Sequence, residues 1–147
     1  ENGHLYACGL FAWAGNKTGD GGFFRIRRLE QPMHLPVELH ARQTGMELRF
    51  TEPLDRAEAE NIANYSVKTW SLKRSANYGS KHLDERRLAV AAAELQDGGR
   101  TVRLTLPEIA PTWSMEIRCE LRGADGESFS RTIHNTIHAL PADGGRE

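Results

Sequence analysis

The sequence predicts an all-β protein: an antiparallel sandwich of two sheets, with an N-terminal β-hairpin and one short helical turn. Apolar and polar residues alternate along most of the chain, which is the pattern of a strand with one face in a core and the other in water. Turn-forming pairs such as Thr44-Gly45 and Asp125-Gly126 separate these runs. About seven short strands at spacings of about 8–15 residues are typical of a two-sheet sandwich.

The clearest strand is MEIRCELR, in which every second residue is apolar: Met115, Ile117, Cys119 and Leu121. We expect these side chains to face the core, while Arg118 and Glu120 between them face solvent. The runs MELRF and TVRLTL alternate in the same way, and HLPVELHAR, NYSVKTWSLK and LAVAAAEL predict further strands. His34 and His40 would lie on the polar face of HLPVELHAR.

The helical turn and the two ends of the chain differ from this pattern. PLDRAEAENIANY contains good helix formers after Asp55, a suitable N-cap, but it is long enough for only one or two turns. Residues 1–30 read as strand, glycine-rich loop and strand. Their many aromatic side chains must pack on the sandwich or on a second chain, and the latter would be a homodimer through the hairpin. The sandwich would span residues 31–140, and residues 141–147 would be a disordered tail.

The composition narrows the classes of partner. Of the 147 residues, 39% are hydrophobic and 27% are charged, which is ordinary for a globular protein. Lys plus Arg number 19 and Asp plus Glu number 20, so the basic excess of a nucleic-acid-binding protein is missing. No apolar run has the length of a membrane-spanning helix. We therefore expect neither a nucleic acid nor a membrane as partner.

Two cysteines, Cys8 and Cys119, lie in apolar alternating runs. A C-x-x-C pattern is absent, so the sequence predicts no thioredoxin-like site and no covalently attached c-type haem. Two buried free thiols and one disulfide both fit the pattern, and the sequence leaves the choice open.

Two stretches resemble bacterial immunoglobulin-like or fibronectin type III-like modules. GMELRFTEPLDRAEAENIANYSV is similar to their opening strand, short turn and next strand. DGGRTVRLTLPEIAPTWSMEIRCELRGADGE is similar to their later half, where a proline-bearing turn and an aromatic residue lead into the penultimate strand. The resemblance implies that the predicted sandwich is immunoglobulin-like.

A narrower resemblance involves GGFFRIRR, PMHLPVELHARQTGMELRF, NYGSKH and NTIH. Together they resemble the C-terminal portion of large secreted bacterial proteins with a sorbosone- or glucose-dehydrogenase-like β-propeller and cytochrome c modules. The resemblance implies that residues 1–30 end a propeller, that the sandwich is an accessory module of a secreted assembly, and that the protein is secreted or periplasmic. The cytochrome motif is missing, so electron transfer and sugar oxidation do not carry over.

The repeated triplet T-I-H places His134 and His138 four residues apart. On a helix this spacing would let both histidines bind one metal ion. The β-branched residues beside each histidine favour a strand instead, with Ile133 and Ile137 in the core and the histidines outside. The two imidazoles would then be about 13 Å apart, too far for one ion whose His ligands lie about 2.1 Å from it.

The segment RSANYGSKHLDERR lies between two predicted strands and carries His82 and Tyr78. If this loop folds back on the sheet, His82, His134 and Tyr78 are candidate catalytic residues, and His82, His134 and His138 are candidate ligands of a divalent metal such as zinc. Asp20, in the loop NKTGDGG, is a calcium alternative. Unrelated surface histidines on a solvated loop are the competing interpretation.

Three functions follow from these candidates. The first is an accessory immunoglobulin-like module of a secreted assembly. The second is a small metal-dependent hydrolase that opens the ring of a lactone, either an acyl-homoserine lactone or the sugar lactones that the resembled dehydrogenases produce. The third is a carbohydrate-binding module that stacks sugars on Trp70, Trp113 and Tyr78. Against the third, we expect both tryptophans to belong to the core.

Overall fold

The structure is a computed structural model, and it describes residues 4–9, 22–27, 31–73, 75–76 and 79–141. The candidates Tyr78 and Asp20 and the predicted tail after residue 141 lie outside these residues. The chain divides into two compact units, Glu1–Gln31 and Pro32–Glu147. We describe each unit by itself.

The first unit contains an antiparallel hairpin. Strand β1, Leu5–Gly9, pairs with strand β2, Gly22–Ile26. The rings of Tyr6 and Phe23 stack on one face with their centroids 5.7 Å apart. Leu5 lies opposite Ile26 on the other face, so both faces of the ribbon carry apolar side chains.

The second unit is an antiparallel sandwich of two four-stranded sheets, which confirms the all-β, immunoglobulin-like fold that the sequence predicts. The strand order is β3-β4-β8-β7 in one sheet and β10-β9-β5-β6 in the other. The strands are β3 (Pro36–Arg42), β4 (Gly45–Phe50), β5 (Tyr65–Leu72), β6 (His82–Leu88), β7 (Ala92–Leu95), β8 (Thr101–Thr105), β9 (Thr112–Arg122) and β10 (Ser128–Ile137).

The helical part is confined to short connections. Helix α1, Arg56–Ala59, begins at Asp55, whose side chain accepts a hydrogen bond of 3.0 Å from the backbone N–H of Glu58. Two 3₁₀ turns, Ile62–Asn64 and Asp97–Gly99, complete the helical content of the described residues. None of these helices is long and apolar enough to span a membrane.

The core lies between the two sheets, and alternation along β9 builds one side of it. Ile117 and Leu121 are 0% and 2% exposed, whereas Arg118 and Glu120 between them are exposed, as the sequence predicts. The other fully buried side chains share this inward orientation and include Met46, Leu48, Phe50, Val67, Val102, Leu104, Leu106, Met115 and Cys119. Burial raises the pKa of the Cys119 thiol to about 11, so Cys119 stays protonated at neutral pH.

The structure answers one question that the sequence leaves open and contradicts one expectation. Cys8 and Cys119 are both free thiols, and Cys119 is buried whereas Cys8 is exposed. His34 is only 3% exposed, although we expected it on a polar face. Its backbone adopts a φ of 46°, in the left-handed region, and this turn directs the imidazole onto the ring of Phe129, 4.9 Å away. His40, by contrast, is exposed and lies 3.5 Å from Glu38.

Candidate functional site

The two candidate catalytic histidines, His82 and His134, both contact one tryptophan. The His82 ring stacks on the Trp70 ring at a centroid distance of 4.3 Å, and the His134 ring meets it edge-on at 6.2 Å. Trp70 is 8% exposed, yet it is not among the residues of the hydrophobic core between the sheets. Its burial is as expected from the sequence, but the expectation that it belongs to the core is wrong, because His82, His134 and Lys68 cover it on the outer face of the sheet.

The sheet order explains this convergence. His82 begins β6 and His134 lies on β10, which are the two edges of the sheet, while Trp70 lies on β5 between them. The partner of Trp70 on β9 is Ser114, whose small side chain leaves space for the indole. Because the Trp70 ring is wide, residues from both edge strands can reach it.

Charged side chains surround this tryptophan, and we call the group the Trp70 cluster: Lys68, Trp70, His82, Glu85, Glu116 and His134. His82 Nδ1 lies 3.0 Å from Glu85 Oε2, and His134 Nε2 lies 3.8 Å from Glu116 Oε2. Lys68 Nζ joins the two carboxylates, at 3.7 Å from Glu85 and 3.5 Å from Glu116.

The hydrogen bond from His82 is the largest influence on Glu85, and with the charge of Lys68 it lowers the pKa of that carboxyl. Lys68 Nζ also lies 5.5 Å from the centre of the Trp70 ring, close enough for a cation–π interaction. Glu85 is therefore ionised at neutral pH, and the cluster places its negative charges next to the imidazoles.

The structure brings together two of the three candidate metal ligands, His82 and His134, but not His138. His138 does not join the Trp70 cluster; its ring meets that of Trp113 edge-on at 6.3 Å. Across the described residues, no three side chains of His, Cys, Asp or Glu lie close enough together to hold a metal ion. What the Trp70 cluster presents instead is a set of hydrogen-bonding groups around a largely covered indole.

The position of Trp113 contradicts the expectation that it belongs to the core. Its side chain is 66% exposed. The pairing of β9 with β10 is irregular here, because Asn135 pairs with Met115 while Ile137 pairs with Thr112. The extra residue on β9 breaks the alternation that would have turned Trp113 inward. The backbone oxygen of Trp113 accepts a hydrogen bond of 2.8 Å from the Thr136 hydroxyl, which fixes this end of the strand.

Sequence reasoning missed a second polar group, on the outer face of the other sheet. Glu47 is buried, and Arg42 donates to it from Nε and Nη2 at 3.3 and 3.0 Å. Arg103 donates to its other oxygen from Nε at 3.1 Å. Alternation along β4 predicts from the sequence that Glu47 faces outward. The two arginines that enclose it become apparent only in the structure, where β4 pairs with both β3 and β8.

An open groove of about 440 Å³ lies beside Glu47, lined also by Glu38, His40, Arg49 and Arg100. Its charged groups are largely paired with one another. Arg49 bonds to Glu38 at 2.8 Å, and Arg100 donates to the backbone oxygen of Thr51 at 2.6 Å. This groove is separate from the Trp70 cluster and contains none of the predicted site residues.

No model of a protein family matches the sequence, and the search of curated proteins finds no match. Among solved structures, the chain is similar to the crystal structure of CopC from Methylosinus trichosporium OB3b, with 20% sequence identity and a TM-score of 0.36. The match covers 74% of this chain and 85% of that chain. A TM-score this low carries no conclusion about function, and the sandwich is established by its own sheets.

Proposed function

We propose that this chain is an accessory immunoglobulin-like module of a secreted assembly, which works by binding rather than by catalysis. The observation that carries the proposal is Trp113, which is 66% exposed beside His138 although the core between the sheets is closed without it. An exposed tryptophan next to a hydrogen-bonding ring is a common contact in binding sites, because the indole offers a large apolar face at little entropic cost.

Carbohydrate is the ligand class whose chemistry fits this surface best. The apolar face of a sugar ring stacks on an indole, while its hydroxyls take hydrogen bonds from groups at the side. The His138 ring lies beside Trp113 and supplies such a group, while the Thr136 hydroxyl, whose proton is donated to the backbone oxygen of Trp113, is left as an acceptor. The sequence resemblance to secreted bacterial proteins is the ground for proposing a secreted or periplasmic location.

Intrinsic tryptophan fluorescence during titration with cello-, chito- and xylo-oligosaccharides tests the proposal. We expect at least one series to change the emission of the full chain and to lose its effect in the Trp113→Ala variant. Ile62→Ala is the matched control, because Ile62 is another exposed apolar side chain and lies outside β9 and β10. If no oligosaccharide binds, or if Trp113→Ala binds as the wild type does, carbohydrate is not the ligand.

The lactone hydrolase is the alternative, and the contact of His82 and His134 with one tryptophan is the observation in its favour. It can be separated from a binding module by turnover of acyl-homoserine lactones and sugar lactones, measured with added Zn²⁺ or Ca²⁺ and again after chelation. A binding module shows no turnover under any of these conditions. Chelator-sensitive turnover that both His82→Ala and His134→Ala abolish would establish the hydrolase instead.

A further inference from the structure

The four edge strands of the sandwich are not equally protected against pairing with another chain. β3 begins with Pro36 and has an irregular register beside it. β7 is only four residues long. β6 carries four charged residues among its seven and has Asp84 at a φ of 54°, which distorts the edge. Proline, shortness, charge and distortion are the usual means by which sheets avoid unwanted edge pairing.

The fourth edge strand, β10, has little of this protection. It is ten residues long and contains no lysine or proline. Its one charged side chain, Arg131, folds back onto its own unit, donating from Nη2 to the backbone oxygen of Met33 at 2.6 Å and lying 5.2 Å from the centre of the Phe129 ring. Within the described residues β10 pairs only with β9, so no strand covers its other side, and the backbone oxygen of Ser130 accepts a hydrogen bond of 2.8 Å from Arg131 Nη1.

A second observation points to the same strand. Among the described residues, four buried side-chain atoms lack a hydrogen bond, and three of them belong to Arg131 and Asn135 of β10. They are Arg131 Nε, a donor, and Asn135 Nδ2 and Oδ1, a donor and an acceptor. Buried polar atoms without partners are uncommon in folded proteins, and three of these four lie along the one open edge strand.

We propose that β10 pairs with β10 of a second copy of this chain, antiparallel and about a twofold axis at Ile133, so that the four strands of each copy form one continuous sheet. In this register Arg131 of each copy lies opposite Asn135 of the other copy. The donor Arg131 Nε and the acceptor Asn135 Oδ1, which both lack partners, are then neighbours at two places in the dimer. On the same face Phe129 lies opposite Ile137, and Ile133 lies opposite its own copy.

The strand is self-complementary in this register. On the outer face Ser130 lies opposite Thr136, and Thr132 lies opposite His134, so no two like charges meet. Moving the axis to Arg131 would place the two arginines directly opposite each other, which is unfavourable. A twofold interface requires this kind of self-complementarity, because the same patch must serve on both subunits.

Two variants of the full chain test the register. Ser130→Lys with Thr136→Lys places lysine opposite lysine at both outer-face contacts. The second double variant, Ser130→Lys and Thr136→Glu, places lysine opposite glutamate at the same positions. Like the first, it loses the hydrogen bond from Thr136 to the backbone oxygen of Trp113. We expect the wild type and the Lys/Glu variant to sediment as dimers, and the Lys/Lys variant to dimerise at least about tenfold more weakly. Far-UV circular dichroism and thermal melting verify that both variants are folded.

A third variant, Phe23→Ser, separates this interface from a dimer through the N-terminal hairpin. We expect it to sediment as a dimer like the wild type, because Phe23 lies in the first unit. The proposal is overturned if the wild type is monomeric up to about 1 mM, if the Lys/Lys variant dimerises as strongly as the Lys/Glu variant, or if Phe23→Ser alone abolishes the dimer.

Discussion

Glu47 shows how a single buried carboxylate depends on its neighbours. Burial is the largest single influence on the pKa of Glu47, and it raises that pKa. The hydrogen bonds and charges of Arg103 and Arg42 together outweigh burial, so the net pKa is lowered. A carboxyl whose pKa is lower in the folded than in the unfolded state stabilises the fold above its ordinary pKa of about 4.3. That stabilisation is lost as the pH falls through the lowered folded-state value.

We expect Glu47→Gln to lower the free energy of unfolding at pH 7 by about 1–3 kcal/mol, because both arginines lose their ionised partner. The variant should also lose less stability than the wild type between pH 7 and about pH 3, since it lacks the titrating group. Urea denaturation at the two pH values measures both effects. Glu120→Gln is the control: Glu120 is exposed and, among the described residues, forms an ion pair with Arg118 alone, so its change should be small. Equal effects in the two variants would contradict the role given to Glu47.

Ile117 tests the inward face of β9. Its side chain is 0% exposed in the core, so Ile117→Ala should lower the free energy of unfolding by about 2–5 kcal/mol, through lost burial and the cavity left behind. Arg118→Ala, one residue along on the exposed face, should change it by no more than about 0.5 kcal/mol. The measurement is again urea denaturation, and a loss for Ile117→Ala as small as that of the control would show that the side chain is not packed.

At the scale of elements, the short helix α1 is stabilised at both ends. Asp55 caps its first turn, and the Tyr65 hydroxyl donates a hydrogen bond of 2.7 Å to the backbone oxygen of Ala59 in its last turn. Burial raises the pKa of Tyr65, so its hydroxyl remains a donor throughout the neutral range. A helix of four residues has little stability of its own, and its N-cap and its contact with the first residue of β5 hold it in place.

We expect Asp55→Ala to lower the free energy of unfolding by about 1 kcal/mol, because the backbone N–H of Glu58 loses its acceptor. Asp55→Asn keeps an acceptor oxygen at the same position and should retain most of the stability. Thermal melting of both variants beside the wild type gives the comparison. If Asn and Ala have the same effect, the cap contributes nothing and another contact of Asp55 is responsible.

Strands and their inward faces could be predicted from the sequence wherever alternation is unbroken, as it is through β4, β8 and most of β9. The predictions failed where alternation stops. A bulge turns Trp113 outward, and a positive φ turns His34 inward, and neither leaves a signal in residue spacing. The contact of His82 and His134 through Trp70 depends on the order of strands within the sheet. Local patterns do not determine that order.

At the scale of the whole molecule, the remaining question is what covers the apolar side chains of the hairpin formed by β1 and β2. Phe23 is 74% exposed, and Leu5, Phe24 and Ile26 are exposed on the opposite face of the ribbon. A two-stranded ribbon with apolar residues on both faces is at best marginally stable in water. We therefore expect the hairpin to be covered in solution, either by the sandwich of its own chain or by a second chain.

Cleavage at a protease site inserted between Gln31 and Pro32, where the two units meet in sequence, tests this expectation. If the hairpin packs on the sandwich, removing it lowers the melting temperature of the remaining unit. If it packs on a second chain, removing it lowers the sedimenting mass beyond the loss of the fragment itself. The uncut protein carrying the same insertion is the control for the insertion. A remaining unit with unchanged melting temperature and unchanged association would show that the hairpin packs on neither, and the expectation would be wrong.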